Sequence, residues 1–363
     1  RDCAPVRLSR RYLSGAEFSS GWVPSLTAER YAADIAQIKR HLACGDSYQV
    51  NYTYRLRKAW TASAWSLFLH LLSAQHTRCA SFIDTGRFAV CSASPELFFS
   101  RERNKLICRP MKGTAPRGID LHDDTRQANA LLLSAKNRAE NMMIVDMIRN
   151  DMARTAEPGS VHVDDLFSLE RYDTLWQMTS AISARSAAGL RALLTALFPC
   201  ASISGCPKAR TTEIIAALET SPRNIYTGCI GMLCPDGRMQ FNVAIRTVTI
   251  DRQHSQAEYG VGGGITWDST AAGEFEECRT KTLLLLQRPL RFSLLETILW
   301  TRADGYFLLP RHLQRLRESA AFFGFPLDLQ VVLAALRRAA AKFPVEDVKV
   351  RLLLNARGAL HLE

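Results

Sequence analysis

The chain has 363 residues, with 46 Lys and Arg against 35 Asp and Glu, a formal net charge of +11 at pH 7 and a pI near 9.3. A hydrophobic fraction of 47% excludes wholesale disorder, no apolar run reaches the ~20 residues that span a bilayer, and Arg1–Gly21 carries no apolar segment of the kind a secretory signal needs. A basic excess suits nucleic acid, an anionic membrane or a small polyanion, or no partner at all; of the 46 cations 37 are Arg and only 9 Lys, so a Lys in an unusual setting is the more informative residue.

In chain order, Thr27–Leu42 predicts a helix, because Tyr31, Ile35, Ile38 and Leu42 recur at helical spacing. Gly45-Asp46 turns the chain into a strand over Tyr48–Tyr54, and Ala64–Ser73 is a short apolar helix. Phe88–Ser100 and Lys105–Pro110 predict strands joined by the polar turn Arg101–Asn104. Asp123–Arg154 is the longest helical pattern, with Ala139, Met143, Met147 and Asp151 close to one stripe, and Glu157-Pro158-Gly159 ends it. Gly189–Leu197 and Pro207–Leu218 are helical, with Pro207 suited to a first turn. Gly228–Cys234 and Met239–Ile250 form a hairpin across Pro235-Asp236-Gly237, and a glycine loop (Gly260–Gly264) and a helix (Thr270–Gln287) follow. Pro289 marks a boundary, so one domain is expected over 1–288 and another over 289–363. The second opens at Arg291 with a strand to Trp300, a hairpin near Asp304-Gly305 and a helix over Arg311–Phe323. The lack of an initiator Met suggests a piece of a longer polypeptide.

The ten cysteines include no C-x-x-C pair and no zinc-knuckle spacing. Reduced thiols in a cytoplasmic protein are the expectation. Cys91, Cys108, Cys229 and Cys234 fall in strand-like runs suited to core packing, and Cys3 lies near the start.

Three patterns bear on chemistry. Lys112, in Arg109-Pro110-Met111-Lys112-Gly113-Thr114, follows an apolar strand and precedes a glycine turn. It is either a solvated turn residue or an amine held in a cleft, where partial desolvation makes a better nucleophile or base. Glu140, with Asp146 and Asp151, lies on the long helix, and Glu274 and Glu277 share one face of another. Surface ion pairing, such as Glu277 with Lys281, is one reading; carboxylates from different helices holding Mg²⁺ is the other. The glycine run is either a tight turn or a backbone N–H cradle for an anion.

Ser92-Ala93-Ser94-Pro95-Glu96, Arg109–Thr114, Asn137–Asp151, Ser204-Gly205-Cys206-Pro207-Lys208, Tyr226-x-Gly228-x-x-Gly231, Phe241–Thr247 and Gly260–Ser269 with Glu274-x-x-Glu277-x-x-x-Lys281 stand in the order found in chorismate-utilising enzymes. The resemblance runs from Thr27 to Gln287. At Pro110-Met111-Lys112-Gly113-Thr114 the chain resembles the aminodeoxychorismate-forming branch, which carries Lys where anthranilate synthases carry Ala. Anthranilate or isochorismate synthesis is the alternative within the family, an inactive fragment a further one, and a basic nucleic-acid-binding protein the alternative outside it.

The resemblance implies an α+β fold of two mainly antiparallel sheets packed crosswise and wrapped by helices, with further strands before the Thr27 helix. It implies chorismate and ammonia as substrates, Lys112 as nucleophile and Glu96 as general acid/base. Glu140 and Glu277, with Glu274 close by, would hold Mg²⁺. Tyr226, Arg246 and the N–H groups of Gly262, Gly263 and Gly264 would hold the enolpyruvyl carboxylate, and Ser202 would add a hydrogen bond; Thr114 and Lys281 complete the substrate contacts. Gln177 stands where many relatives carry His, and is a contact without an acid/base role. Ammonia is expected from a glutamine amidotransferase subunit, since no Cys-His-Glu glutaminase pattern is visible, and neither nucleic acid nor membrane is an expected partner.

The C-terminal stretch Leu295-Glu296-Thr297, Leu309–Leu316 and Phe323-Gly324-Phe325-Pro326 resembles the start of the class IV pyridoxal-phosphate (PLP) fold, as in aminodeoxychorismate lyases. Arg315 matches a phosphate-contacting position there. The Schiff-base lysine of that fold does not appear in the chain, so PLP is expected only in a complete fused lyase domain and no lyase activity is expected here.

Overall fold

A computed structural model of the chain describes residues 20–75, 77, 79–172, 175–286, 292–344 and 346–363. The expected domain boundary at Pro289, the start at Arg291, the helix end at Gln287, and Cys3 lie outside the described residues. Two compact units are present. The first takes the described residues of Arg1–Thr114, Leu131–Tyr172 and Gln177–Arg288, the second those of Ala115–Ala130, Asp173–Trp176 and Pro289–Glu363.

The elements up to the end of the first unit are β1 (Val23–Pro24), α1 (Ala28–Ala43), β2 (Gln49–Ala59), α2 (Ala64–Ala74), β3 (Cys79–Asp84), β4 (Phe88–Ser94), β5 (Leu97–Glu102), β6 (Lys105–Arg109), β7 (Met111–Pro116), α3 (Leu121–Leu133), α4 (Ala135–Ala153), β8 (His162–Arg171), β9 (Leu175–Arg185), α5 (Leu190–Leu197), β10 (Gly205–Cys206), α6 (Lys208–Leu218), β11 (Cys229–Leu233), β12 (Met239–Val243), β13 (Thr247–Asp251), β14 (Gln256–Ile265) and α7 (Ala271–Leu286). Helix α1 starts where Thr27 Oγ1 accepts from the Arg30 N–H, with Glu29 in its first turn and Arg40 and His41 in its last, matching the helix dipole. Its buried stripe is the expected Tyr31, Ile35 and Ile38.

These strands form two sheets. The first has the order β1-β2-β14-β13-β4-β3, with β10 also on β2; the second has the order β11-β12-β5-β6-β9-β7, with β8 on β9. The pairs from β2 through β3 are antiparallel, and so are those from β11 through β9. One core joins the first sheet to α1, α2, α6 and α7 and includes Tyr31, Tyr52, Leu67, Val248 and Leu285; the other joins the second sheet to α4 and α5 and includes Phe99, Leu106, Ile144 and Leu193.

Five expectations are corrected. The glycine run Gly260–Gly264 is not a loop: it lies within β14, paired with Arg55 through Asn51 of β2. The helical pattern over Asp123–Arg154 is two helices, because Ser134 leaves helical geometry and its Oγ caps Asn137 N at 3.3 Å. The buried side of α4 is Asn141, Ile144, Val145, Ile148, Asp151 and Met152, so Ala139, Met143 and Met147 are not its buried stripe. Phe88–Ser100 and Met239–Ile250 are each broken into two strands, because the chain passes from one sheet to the other at Pro95-Glu96 and at Ala244–Arg246. Among the cysteines, Cys91 and Cys108 are buried and Cys229, partly buried in β11, packs against the second core, as expected, but Cys234 is only partly buried and lies past the end of β11. The nine described cysteines are all free thiols.

The two sheet crossings are hydrogen-bonded together. Val243 N donates to Glu96 O at 3.1 Å, Ala93 N to Arg246 O at 3.1 Å, and Thr247 Oγ1 to Ser92 Oγ at 2.8 Å. Arg246 turns with φ 50°, a left-handed conformation rare outside glycine.

Besides most of α3, the second unit contains β15 (Ser293–Thr301), β16 (Gly305–Tyr306), α8 (Leu309–Phe323), α9 (Leu329–Ala340), β17 (Val348–Asn355) and β18 (Leu360–Leu362), with sheet order β16-β15-β17-β18. Strand β15 alternates, burying Leu294 and Ile298 against Leu316, Val332 and Leu336. Helix α8 ends at Gly324, φ 74°, and Asp328 caps α9 by accepting from Gln330 N at 2.8 Å. No described helix is long and apolar enough to cross a membrane.

Candidate active site

A cavity of about 200 Å³ in the first unit is lined from both sheets and by α4 and α7. The sheet crossings deliver Glu96 and Arg246, β7 delivers Lys112 and Thr114, and β14 delivers Gly262, Gly263 and Gly264. Helix α4 contributes Glu140, and α7 contributes Glu274, Glu277 and Lys281 at helical intervals on one side. Ser202, Tyr226 and Gln177 complete a set in which every expected site residue of 1–288 faces one space.

The glycines are small for a steric reason. A Cβ on Gly260 would stand 2.2 Å from the Tyr226 ring, and one on Gly262 would stand 2.3 Å from the Tyr52 carbonyl. A Cβ on Gly263 would meet Glu274 Oε2 at 2.8 Å, and one on Gly264 would meet both Lys112 Nζ and Gln49 Nε2 at 2.7 Å. The bare strand thus lets four polar side chains approach its backbone. Lys281 Nζ uses that approach to donate to Gly262 O at 2.8 Å.

Lys112 and Gly113 lie within β7 rather than before and in a turn, and Gly113 has φ +95°, a backbone conformation that an L side chain would strain. The Lys112 carbonyl faces the Asn141 amide at 3.5 Å, and the Asn141 oxygen accepts from Ser180 Oγ at 2.6 Å. Burial pulls the Lys112 amine below its ordinary pKa, with Glu140 acting the other way and Lys281 adding to the depression. Glu96 is 3% exposed, and burial raises it to about 7, against the Ser202 hydrogen bond and the Lys112 charge. Ser202 Oγ donates to Glu96 Oε1 at 2.6 Å. An amine pushed down and a carboxyl pushed up in one cavity are the poise required of a nucleophile and a general acid near neutral pH.

The carboxylates differ among themselves. Burial raises Glu140 and Glu274, and the Glu277 charge raises both further. Lys281 at 2.7 Å holds the half-exposed Glu277 low. Ser269 Oγ donates to Glu274 at 2.6 Å, and Lys136 lies 3.9 Å from Glu140. Among the described residues no three acidic, His or Cys side chains gather around one point. The oxygen-only donor set still fits Mg²⁺, which keeps most of its waters and needs one or two carboxylates from the protein. Asp146 and Asp151 stand apart from the cavity, paired with Arg149 and Lys208.

Gln177 is locked in place: its Nε2 donates to Gly113 O at 2.9 Å, and its Oε1 accepts from Thr114 Oγ1 at 3.2 Å. Among the described residues, fully buried Gln49 finds no hydrogen-bond partner for either amide atom. The sequence reading missed Gln49, together with the lining residues Asn51, Lys136, Asn137 and Tyr259. Lys136 was within its reach, as one of only nine lysines; Gln49 and Asn51 lie in a strand whose pattern says nothing about a cavity.

In the second unit, Arg315 donates through Nε to Glu296 Oε1 at 2.8 Å and through a terminal nitrogen to Glu296 Oε2. His312 Nδ1 also lies 2.7 Å from that 3%-exposed carboxylate. Two of the arginine's donor groups are therefore committed within the unit, and a phosphate would meet only the remainder.

The sequence pattern of the chorismate binding enzymes matches residues 8–287, and that of the class IV aminotransferases matches 293–361. Aminodeoxychorismate synthase component 1 of Klebsiella aerogenes is 40% identical over 74% of this chain and 60% of its own. Anthranilate synthase component 1 of Streptomyces coelicolor is 35% identical over 78% of this chain and 56% of its own. The crystal structure of anthranilate synthase component I from Streptococcus pneumoniae superposes with a TM-score of 0.67 at 27% identity, covering 73% of this chain and 59% of that one. The chain thus spans about 60% of the length of the component 1 relatives it matches.

Proposed function

The chain belongs to the chorismate binding enzymes, and from that membership we propose that it is an aminodeoxychorismate synthase, converting chorismate and ammonia into 4-amino-4-deoxychorismate. The observation that carries this reading is Lys112, whose desolvated amine shares a cavity with Glu96. The family's anthranilate-forming branch has no amine at that position.

Chorismate is a dianion and needs a cation at each carboxylate. Arg246 serves the enolpyruvyl carboxylate, with Tyr226 and the Gly262–Gly264 backbone beside it, since a guanidinium fork matches two carboxylate oxygens. Mg²⁺ held by Glu140 and Glu277, with Glu274 beside them, would supply positive charge to the ring carboxylate.

Lys112 Nζ, as the free amine, bonds to ring C2. The two ring double bonds shift, the C4–O bond breaks, and Glu96 gives its proton to the leaving hydroxyl, which departs as water. Ammonia then bonds to C4, the double bonds shift back, the C2–N bond breaks, and Glu96 takes the proton that ammonia sheds. Each half needs Glu96 in the opposite state, which a pKa of about 7 serves. Lys281, bonded to Glu277 and Gly262 O, fixes the carboxylate and the glycine strand rather than reacting.

Ammonia comes in this reading from a glutamine amidotransferase subunit. The stretch over residues 293–361 is similar to the class IV aminotransferases, and in this reading PLP belongs to a complete domain of that kind. Incubation with chorismate, ammonium and Mg²⁺ tests the proposal through the product. Aminodeoxychorismate supports it, and anthranilate or isochorismate would reassign the chain within the family.

A further inference from the structure

Arg246 presents an unusual electrostatic arrangement. Burial depresses its pKa, yet among the described residues no carboxylate lies within ion-pair distance of its guanidinium. A desolvated cation with no ion-pair partner, and only the more distant Glu96 acting on its charge, is costly. The cost is met if the ligand brings the negative charge, which is the role assigned to Arg246 above.

Such a cation still has to be aimed. Its hydrogen-bond acceptor is the side-chain oxygen of Gln75. Gln75 closes α2, where its backbone N–H donates to Leu71 O at 3.0 Å. It is 5% exposed, and its Nε2 donates to Ala93 O at 2.9 Å on β4. Ala93 N in turn donates to Arg246 O. The amide is thus fixed through its own backbone and its nitrogen, and only its oxygen is free to hold the guanidinium. Gln75 does not line the cavity itself.

We infer that Gln75 is a positioning residue for substrate binding: a neutral acceptor that orients the Arg246 guanidinium toward the substrate carboxylate without neutralising it. The inference rests on the proposed assignment of Arg246 to chorismate. An Asp or Glu in that place would orient the arginine equally well but would compete for its charge. A water would leave the side chain free to swing. A guanidinium has five N–H donors, so one bond to Gln75 leaves a fork for the ligand.

The experiment is a double-mutant cycle read by calorimetric binding of chorismate with Mg²⁺ present, and by kcat and KM with ammonium. Gln75→Met keeps the length and removes the acceptor. It is expected to raise Kd and KM about tenfold, the value of one hydrogen bond to a charged group, with kcat within about twofold of the parent. Gln75→Glu is expected to weaken chorismate at least as much, although the acceptor remains. In an Arg246→Met background, Gln75→Met should have no further effect, because its influence passes through the arginine. Equal penalties with and without Arg246, or parental affinity in both Gln75 variants, would overturn the inference. If Gln75→Met fails to fold, Gln75→Glu alone decides, since tight chorismate binding by that variant contradicts the charge argument. A parent protein that binds no chorismate overturns the functional reading and this inference together, whereas a parent that binds with Gln75 variants unaffected overturns this one alone.

Discussion

Gly264 of β14 and Lys112 of β7 are matched in space: a Cβ on Gly264 would fall 2.7 Å from the Lys112 Nζ. The obstructed atoms, Lys112 Nζ and Gln49 Nε2, are the ends of flexible side chains, so Gly264→Ala should fold and displace them. At Gly262 the obstruction is the Tyr52 carbonyl at 2.3 Å, which is backbone. We expect Gly264→Ala to lower kcat by at least tenfold with little loss of thermal stability. Gly262→Ala should cost about 1–3 kcal/mol of stability by overpacking. Urea unfolding and initial rates on both variants check the contrast, and equal stability losses would refute it.

Glu96 sets a pH limb. Its folded pKa of about 7 lies above the ordinary 4.5. Protonation of the leaving hydroxyl needs the acid form, so kcat/KM should fall as pH rises through about 7. The Ser202 hydroxyl stabilises the carboxylate, so Ser202→Ala should move that limb to higher pH. For stability, the folded protein holds this proton more tightly than the unfolded chain. The contribution is full below pH 4.5 and lost as pH rises through about 7. Glu96→Gln should therefore gain stability relative to the parent between pH 5 and 8, measured as melting temperature against pH.

In the second unit, Asp124 is 2% exposed and accepts from Arg117 Nε at 2.6 Å, Gly118 N at 2.9 Å and Trp176 Nε1 at 2.9 Å. Burial opposes its charge, but these donors outweigh burial and hold its pKa low. Arg117 in turn donates to Phe322 O at 2.9 Å and lies over the Phe322 ring. Asp124→Ala removes two charge-assisted hydrogen bonds from the Arg117 guanidinium and should cost about 1.5–3 kcal/mol at pH 7. Because the folded pKa is lowered, the stabilisation is present above the ordinary 3.8 and is lost as pH falls through the folded value. Denaturation at pH 7 and pH 3 should show the gap between parent and variant shrinking with acid.

If Glu140 and Glu277 hold Mg²⁺, Glu140→Gln and Glu277→Gln should each raise the Mg²⁺ concentration for half-maximal activity by about tenfold or more. Chelation of the parent should abolish turnover reversibly. Activity titrations in metal-buffered solution give the answer; unchanged Mg²⁺ dependence in both variants would remove them as ligands.

The residues alone left Lys112 open between a solvated turn and a cleft amine, and Glu274 and Glu277 open between surface ion pairing and a metal site; only the resemblance to the chorismate-utilising enzymes singled out these residues, with Glu96, as a candidate site. The surrounding geometry was less legible. Gly260–Gly264 has no side chains to alternate, so periodicity could not reveal a central strand. The breaks at Glu96 and Arg246 occur where one apolar run serves two sheets, and hydrophobicity is the same on both sides of the crossing. Ser134 interrupts a helical pattern that continues beyond it, and only its cap on Asn137 marks the stop. Gln75 lay at a helix end, where a polar residue is unremarkable until its oxygen is seen on Arg246.

The central claim is that Lys112 is the nucleophile of an aminodeoxychorismate-forming reaction, and product identity with Lys112→Ala alongside the parent tests it most directly. With chorismate, ammonium and Mg²⁺, the parent should yield 4-amino-4-deoxychorismate, and Lys112→Ala should lose at least ~10³-fold of that rate, on the scale of removing a covalent catalyst. Anthranilate from the parent, or undiminished aminodeoxychorismate from Lys112→Ala, would contradict the account.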